Sequence, residues 1–154
     1  TLQKKNFQAF QQRFDKYVSE NIQEEDRSPK LIVDLELKIT DIFKPGELLG
    51  KIPRLKRILD RMEPFGPQNM KPVFVLRGIC SAQTKVLKQL HLKLEIFDPN
   101  YPQVRIPAIG FGISDKVDLV ASGVQFDMAF TLETNHWNGH STLQLNIKDI
   151  KEAE

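Results

Sequence analysis

The sequence predicts a mainly β chain of the α+β class, a five-stranded barrel preceded by a helix, a strand and a second helix. Three observations predict it. Five short runs of alternating apolar and polar residues follow one another after Pro72, with no strong helical period between them. Two stretches before Glu63 instead repeat their apolar residues at helical spacing. Between the two regimes, Arg61–Phe74 reads RMEPFGPQNMKPVF. Its three prolines fix φ and push the residues before them out of the helical region.

Phe7, Phe10, Phe14, Tyr17 and Val18 share one helical face behind Asn6, the expected N-cap. They give a helix over about residues 6–20. A solitary helix of this length is marginal in water, so its aromatic stripe is expected to dock on another surface. With Thr1 rather than methionine at its start, the chain reads as a piece cut from a longer protein. NIQEEDRSPK is polar, ends in Ser-Pro and reads as a linker. LIVDLELKIT alternates, placing Leu31, Val33, Leu35, Leu37 and Ile39 on one face of a half-buried strand. Pro45-Gly46 marks a turn. A second helix follows with Pro53 in its first turn and Leu55, Ile58, Leu59 and Met62 on its buried face, stopping at Glu63 before Pro64.

The five strands are expected at about 73–82, 90–97, 104–111, 124–133 and 142–150. Leu90, Leu92, Leu94 and Ile96 alternate with His91, Lys93 and Glu95. Val124, Phe126, Met128, Phe130 and Leu132 repeat the pattern, as do Leu143, Leu145 and Ile147. Such alternation fits antiparallel strands with one face in a core. SDKVDLVASG, between the third and fourth runs, holds a short helix or a turn. Five strands with an insert there match the OB-fold, with a five-stranded sandwich as the alternative. The segments are therefore 1–27 (helix and linker), 28–70 (strand, basic helix and Pro-rich joint) and 71–154 (barrel).

The 154 residues are 40% hydrophobic, enough for a packed core. Lys and Arg total 22 against 20 Asp and Glu, so any electrostatic argument must be local. The single cysteine, Cys80, cannot form an internal disulfide, and no run is long and apolar enough to span a membrane. The cytoplasm is the expected compartment.

Catalytic signatures are missing. His136 and His140 flank Trp137-Asn138-Gly139, a turn rather than a helix, which argues against a metal pair. The run GFGISD lacks the third glycine and following helix of a phosphate loop. No catalytic residue and no metal ligand is therefore expected in this segment. Binding candidates are clearer. Arg54, Arg57 and Arg61 lie together on the second helix, either as a solvated basic face or as a phosphate-contacting stripe. His91 and Lys93 project from the outer face of the second strand, with Arg105 and Phe111 on the third. Trp137 sits at a hairpin tip built by Asn138-Gly139. It either caps the barrel or offers a stacking platform to an unpaired base.

Several of these stretches resemble the C-terminal end of RecJ-type single-strand-specific exonucleases. They are MEPFGPQNMKPVF, LEIFDPN, PAIGFG and FTLETNHWNGHSTLQLNIKDI. FQAFQQRFDKY resembles the last helix of that family's DHH-associated domain, so the resemblance covers essentially the whole chain. It implies a non-catalytic fragment, the end of the DHH-associated domain plus the OB-fold domain. The parent would degrade single-stranded DNA from the 5′ end with Mn2+ or Mg2+ held in a core that lies outside this sequence. It further implies single-stranded DNA as partner and a role in repair and recombination. A helicase or single-strand-binding protein is the partner in the alternative reading, where the barrel is a docking or scaffolding module. The family often has glycine where Gln68 stands and a second acidic residue nearby, and the glutamine makes the loop slightly less permissive. The proline-rich run is then a rigid hinge seating the barrel, with Phe65 partly buried.

Overall fold

The computed structural model describes residues 4–22, 30–44, 51–121 and 123–153. The chain divides into two compact units, Thr1–Ile32 and Val33–Glu154.

The first unit is built on α1 (Phe7–Asn21). Asn6 stands at the N-cap position but makes no side-chain cap bond, because a short 3-10 turn, Lys4–Asn6, already gives it helical dihedrals. Phe7, Phe10, Phe14 and Tyr17 are all exposed, and the rings of Phe10 and Phe14 stack at 5.8 Å. Most of the expected linker, residues 23–29, lies outside the described residues, as does the Pro45-Gly46 turn.

The second unit begins with β1 (Leu35–Glu36), α2 (Ile39–Ile42) and α3 (Arg54–Asp60). The strand expected over LIVDLELKIT is thus only two residues long. It pairs in parallel with Phe74–Val75, and the Asp34 carboxylate takes the Val73 N–H at 2.8 Å. Leu31, Val33 and Leu35 are exposed, while Leu37 and Ile39 are buried. The alternation breaks because Ile39 opens α2, whose first turn is closed by the Asp41 carboxylate accepting the Lys38 N–H at 2.8 Å. Pro53 occupies the N-cap of α3, where its missing N–H costs nothing. Leu55 and Leu59 pack on the core, but Ile58 and Met62 are exposed, so the buried face is narrower than expected.

Five long strands follow: β2 (Phe74–Leu87), β3 (His91–Phe97), β4 (Ile106–Gly110), β5 (Phe126–Trp137) and β6 (His140–Glu152). They pair in the order β2-β3-β4-β6-β5, and a further β2–β5 pairing closes the ring. All pairings in the ring are antiparallel except β4 with β6. This is the OB-like order, with the 3-10 helix Ser114–Val120 inserted between β4 and β5. One strand serves both sheet neighbours by bending. β2 leaves β5 at an irregularity between Leu76 and Ile79, where Gly78 adopts φ 58° and donates its N–H to Asp127 at 3.0 Å.

The alternating residues fill the barrel: Leu92, Leu94 and Ile96 from β3, Phe126, Met128, Phe130 and Leu132 from β5, Leu143, Leu145 and Ile147 from β6. Leu90 and Val124, expected on these inner faces, precede their strands and are exposed. The same buried cluster takes in Leu37, Ile39, Ile42 and Phe43, so the segment before the joint shares one core with the barrel.

The joint is held by its own hydrogen bonds. Gly66 and Asn69 exchange backbone bonds at 2.9 and 3.0 Å, and the Asn69 amide donates to the carbonyls of Met62 and Pro64, each at 2.9 Å. The Glu63–Pro64 peptide is cis, and Gln68 sits at φ 69°. Phe65 is half-buried, with the Lys71 ammonium 6.0 Å from its ring centroid.

Candidate nucleic-acid interface

The pleat decides which side chains leave the barrel. Leu92 and Leu94 point inward, so His91, Lys93 and Glu95 lie on the other face of β3. Register carries that face across the sheet, with Lys93 opposite Ile109 on β4 and Lys85 on β2. From the far side comes the β5–β6 hairpin. Its turn is Asn138-Gly139, both at positive φ, 47° and 76°, as this tight turn requires. Trp137, just before it, is 73% exposed and therefore does not cap the barrel. Lys93, Trp137 and Asn138 line one open groove of about 520 Å³, together with Asn135, His140 and Thr142. Three residues singled out from separate parts of the sequence thus meet. Asn135 and Thr142 were missed, although alternation along the hairpin places them on one side with Trp137, and His140 was weighed only as a metal ligand.

The half-buried His91 and the exposed Phe111 form a second aromatic pair, edge to face at 5.2 Å. Phe111 directly follows β4 and is 58% exposed. Gly112, at φ 73°, donates its N–H to His91 Nδ1 at 3.1 Å, which puts the imidazole proton on Nε2. At Gly110 a Cβ would collide with the Ile113 side chain. These glycines therefore serve packing and a turn, not a phosphate loop. Arg105 lies one residue before β4, and its guanidinium donates to Glu95 at 3.2 Å.

The opposite side of the hairpin faces another groove, lined by Lys56, Arg57, Lys71, Glu133 and His136 among others. Lys56 is only 7% exposed and pairs with Asp60. Burial pushes the Glu133 carboxyl up, but hydrogen bonds from Asn146 at 3.0 Å and Lys71 at 3.4 Å, with the charges of Lys71 and Lys148, outweigh it. The group ends below the usual carboxylate range. Arg57 is thus separated from Trp137 by the hairpin, and Arg54 and Arg61 line neither groove. His136 and His140 also face different grooves, His136 bonding Ser141 at 2.8 Å. Among the described residues no group of three or more His, Cys, Asp or Glu is placed to hold a metal ion. Nor, among them, is any helix long and apolar enough to cross a membrane. Cys80 is buried, and that burial, with the nearby Asp98 charge, pushes its thiol up and away from reactivity.

The family model described as the RecJ OB domain matches residues 33–149. Among solved structures, the chain is similar to RecJ in complex with Mn2+ from Thermus thermophilus, at 20% identity and TM-score 0.59. The match covers 100% of this chain and 20% of that one. It is similar also to RecJ in complex with Mg2+ from the same organism, at 20% identity and TM-score 0.62, covering 100% of this chain and 21% of that one. The chain therefore spans about a fifth of the length of these structures. No curated protein matches it.

Proposed function

Because this chain belongs to the RecJ OB-domain family, we propose that its barrel binds single-stranded DNA and guides it to a nuclease core carried elsewhere in the parent protein. The observation that carries this reading is the groove where Lys93 from β3 meets Trp137 and Asn138 from the β5–β6 turn. OB-folds take oligonucleotides on this face and between two loops, which here are the β2–β3 and β5–β6 hairpins. An exposed indole stacks on any base, and a lysine beside it meets the phosphate, so binding needs no particular sequence. That suits a 5′–3′ exonuclease acting in cytoplasmic DNA repair and recombination.

The fragment itself is non-catalytic in this reading. In the same reading Mn2+ or Mg2+ belongs to the core, as the family resemblance implies. A second reading, docking of a helicase or single-strand-binding protein, draws support from charge. Several barrel cations are already engaged, Arg105 with Glu95, Lys71 with Glu133 and Lys116 with Asp149.

Titrating the chain against a labelled single-stranded oligonucleotide at rising salt separates the two. A dissociation constant that climbs steeply with salt is expected. No binding even at low salt would overturn the DNA reading in favour of docking. Incubation with DNA and Mn2+ should leave the strand intact.

A further inference from the structure

Resting on that DNA-binding reading, we propose that Lys85 and Lys93 form a two-cation clamp for one backbone phosphate, with Lys88 beside it on the β2–β3 hairpin. The alternation that singled out His91 and Lys93 did not reach Lys85 or Lys88.

Lys85 and Lys93 are direct cross-strand partners in the β2–β3 ladder. Like charges placed opposite each other destabilise a sheet. Elsewhere on the barrel several cations meet acids: Arg77 with Glu36 and Asp127, Arg105 with Glu95, Lys116 with Asp149. Here they do not. Among the described residues the side chains of Lys85, Lys88 and Lys93 have no hydrogen bond or ion pair. Glu95, the acid two residues along the same face, is held by Arg105 at 3.2 Å. The hairpin adds strain to repulsion. Lys88 and Gln89 take φ 50° and 56°, a region that side chains disfavour, with the turn closed by Leu90 N–H on the Leu87 carbonyl at 3.1 Å. An anion between the two ammonium groups relieves the repulsion.

Lys93 also lines the groove of Trp137. A base stacked on the indole leaves its own phosphate within reach of Lys93, and Lys85 then grips the same phosphate from the neighbouring strand. The clamp sets the register of the strand: one phosphate on the lysine pair, one base on the tryptophan.

The test uses the whole chain, a labelled oligothymidylate and two readouts. For Lys85→Gln the plot of log K against log salt should flatten by about 0.7, the value for one lost phosphate contact on a single strand. The same variant should melt about 1–3 °C higher, because the repulsion is gone. Lys85→Arg should keep the wild-type slope. A wild-type slope in Lys85→Gln, with binding otherwise intact, overturns the clamp but leaves the DNA-binding module standing. A lowered melting temperature in Lys85→Gln overturns the clamp too, since it makes Lys85 a structural residue. Wild-type chain that fails to bind at low salt overturns both.

Discussion

The rings of His91, which opens β3, and Phe111, which directly follows β4, meet edge to face with centroids 5.2 Å apart. The arrangement props Phe111 in a fixed attitude while leaving it largely open to solvent. The Gly112 N–H bond to His91 Nδ1 holds the imidazole from the other side. An aromatic ring so fixed loses little entropy when a base stacks on it. Phe111→Ala should therefore weaken oligonucleotide binding by about 1–3 kcal/mol. Its cost to stability should stay within about 0.5 kcal/mol, since the side chain is exposed. Anisotropy titration and thermal melting check the two halves. Unchanged affinity would remove Phe111 from the interface.

Trp137 offers a contrast with the cations. It carries no charge, so its loss should lower affinity by a similar factor at every salt concentration, with the slope unaltered. The fold should not suffer, because the turn beyond it depends on Asn138 and Gly139 rather than on the indole. Titrating Trp137→Ala at low and high salt reads this directly. A changed slope would mean that the substitution had disturbed Lys93.

How much of this could be read in the sequence depends on how each signal arises. The barrel strands were legible because alternation is imposed by burial on one face, as Leu92, Leu94 and Ile96 show. The Asn138-Gly139 turn was legible because few residues accept its dihedrals. β1 was not, because apolar alternation over Leu31–Ile39 is cut short by two events that it does not encode: a parallel pairing only two residues long and the start of α2. Lys56 was missed for a related reason. A helical wheel places it between Leu59 and Asp60, at the edge of the apolar face, yet the groove against Lys71 and Glu133 buries it, with its ammonium on the exposed Asp60. Of the site candidates, Lys93, Trp137 and Asn138 converge because the OB-like order brings the hairpin over the β3 face. Arg57 falls on the hairpin's other side, a separation visible only in three dimensions.

Gln68 tests the joint. At φ 69° it occupies the left-handed region, which costs a residue with a Cβ about 1–2 kcal/mol. Glycine adopts that region freely but has more unfolded-state entropy to lose. Gln68→Gly should therefore be neutral or stabilising by up to about 1 kcal/mol. Gln68→Val, β-branched at the same dihedral, should be clearly destabilising. Chemical denaturation of the pair ranks them, and a stable valine variant would show that the loop relaxes easily.

Asp127 lies on β5 at 2% exposure, receiving Arg77 Nη1 at 2.8 Å and the Gly78 N–H at 3.0 Å. Arg77 also donates to the exposed Glu36 on β1 at 2.9 Å, and these two acceptors push its guanidinium further up from its already high value. Removing the buried acceptor orphans a backbone N–H at the bend of β2, whereas removing Glu36 exposes nothing to desolvation. Asp127→Ala should thus lose markedly more stability than Glu36→Ala in denaturant melts. Equal losses would mean that the bend of β2 does not depend on the Asp127 carboxylate.

Glu133 sets the response to acid. Its carboxyl sits below the usual range because the Asn146 and Lys71 bonds and the nearby lysine charges outweigh its burial. A carboxyl whose folded pKa is depressed stabilises the fold above its unfolded value and stops doing so as pH falls through the folded one. Lys71→Gln removes one of the causes, a bond of 3.4 Å and its charge. The variant should therefore melt below wild type at neutral pH, and the gap should narrow as the pH drops below about 4.5, where the unfolded carboxyl begins to take up protons. Melting both proteins across that window reads the gap directly. A gap independent of pH would show that Lys71 acts through its contact with Phe65 rather than through Glu133.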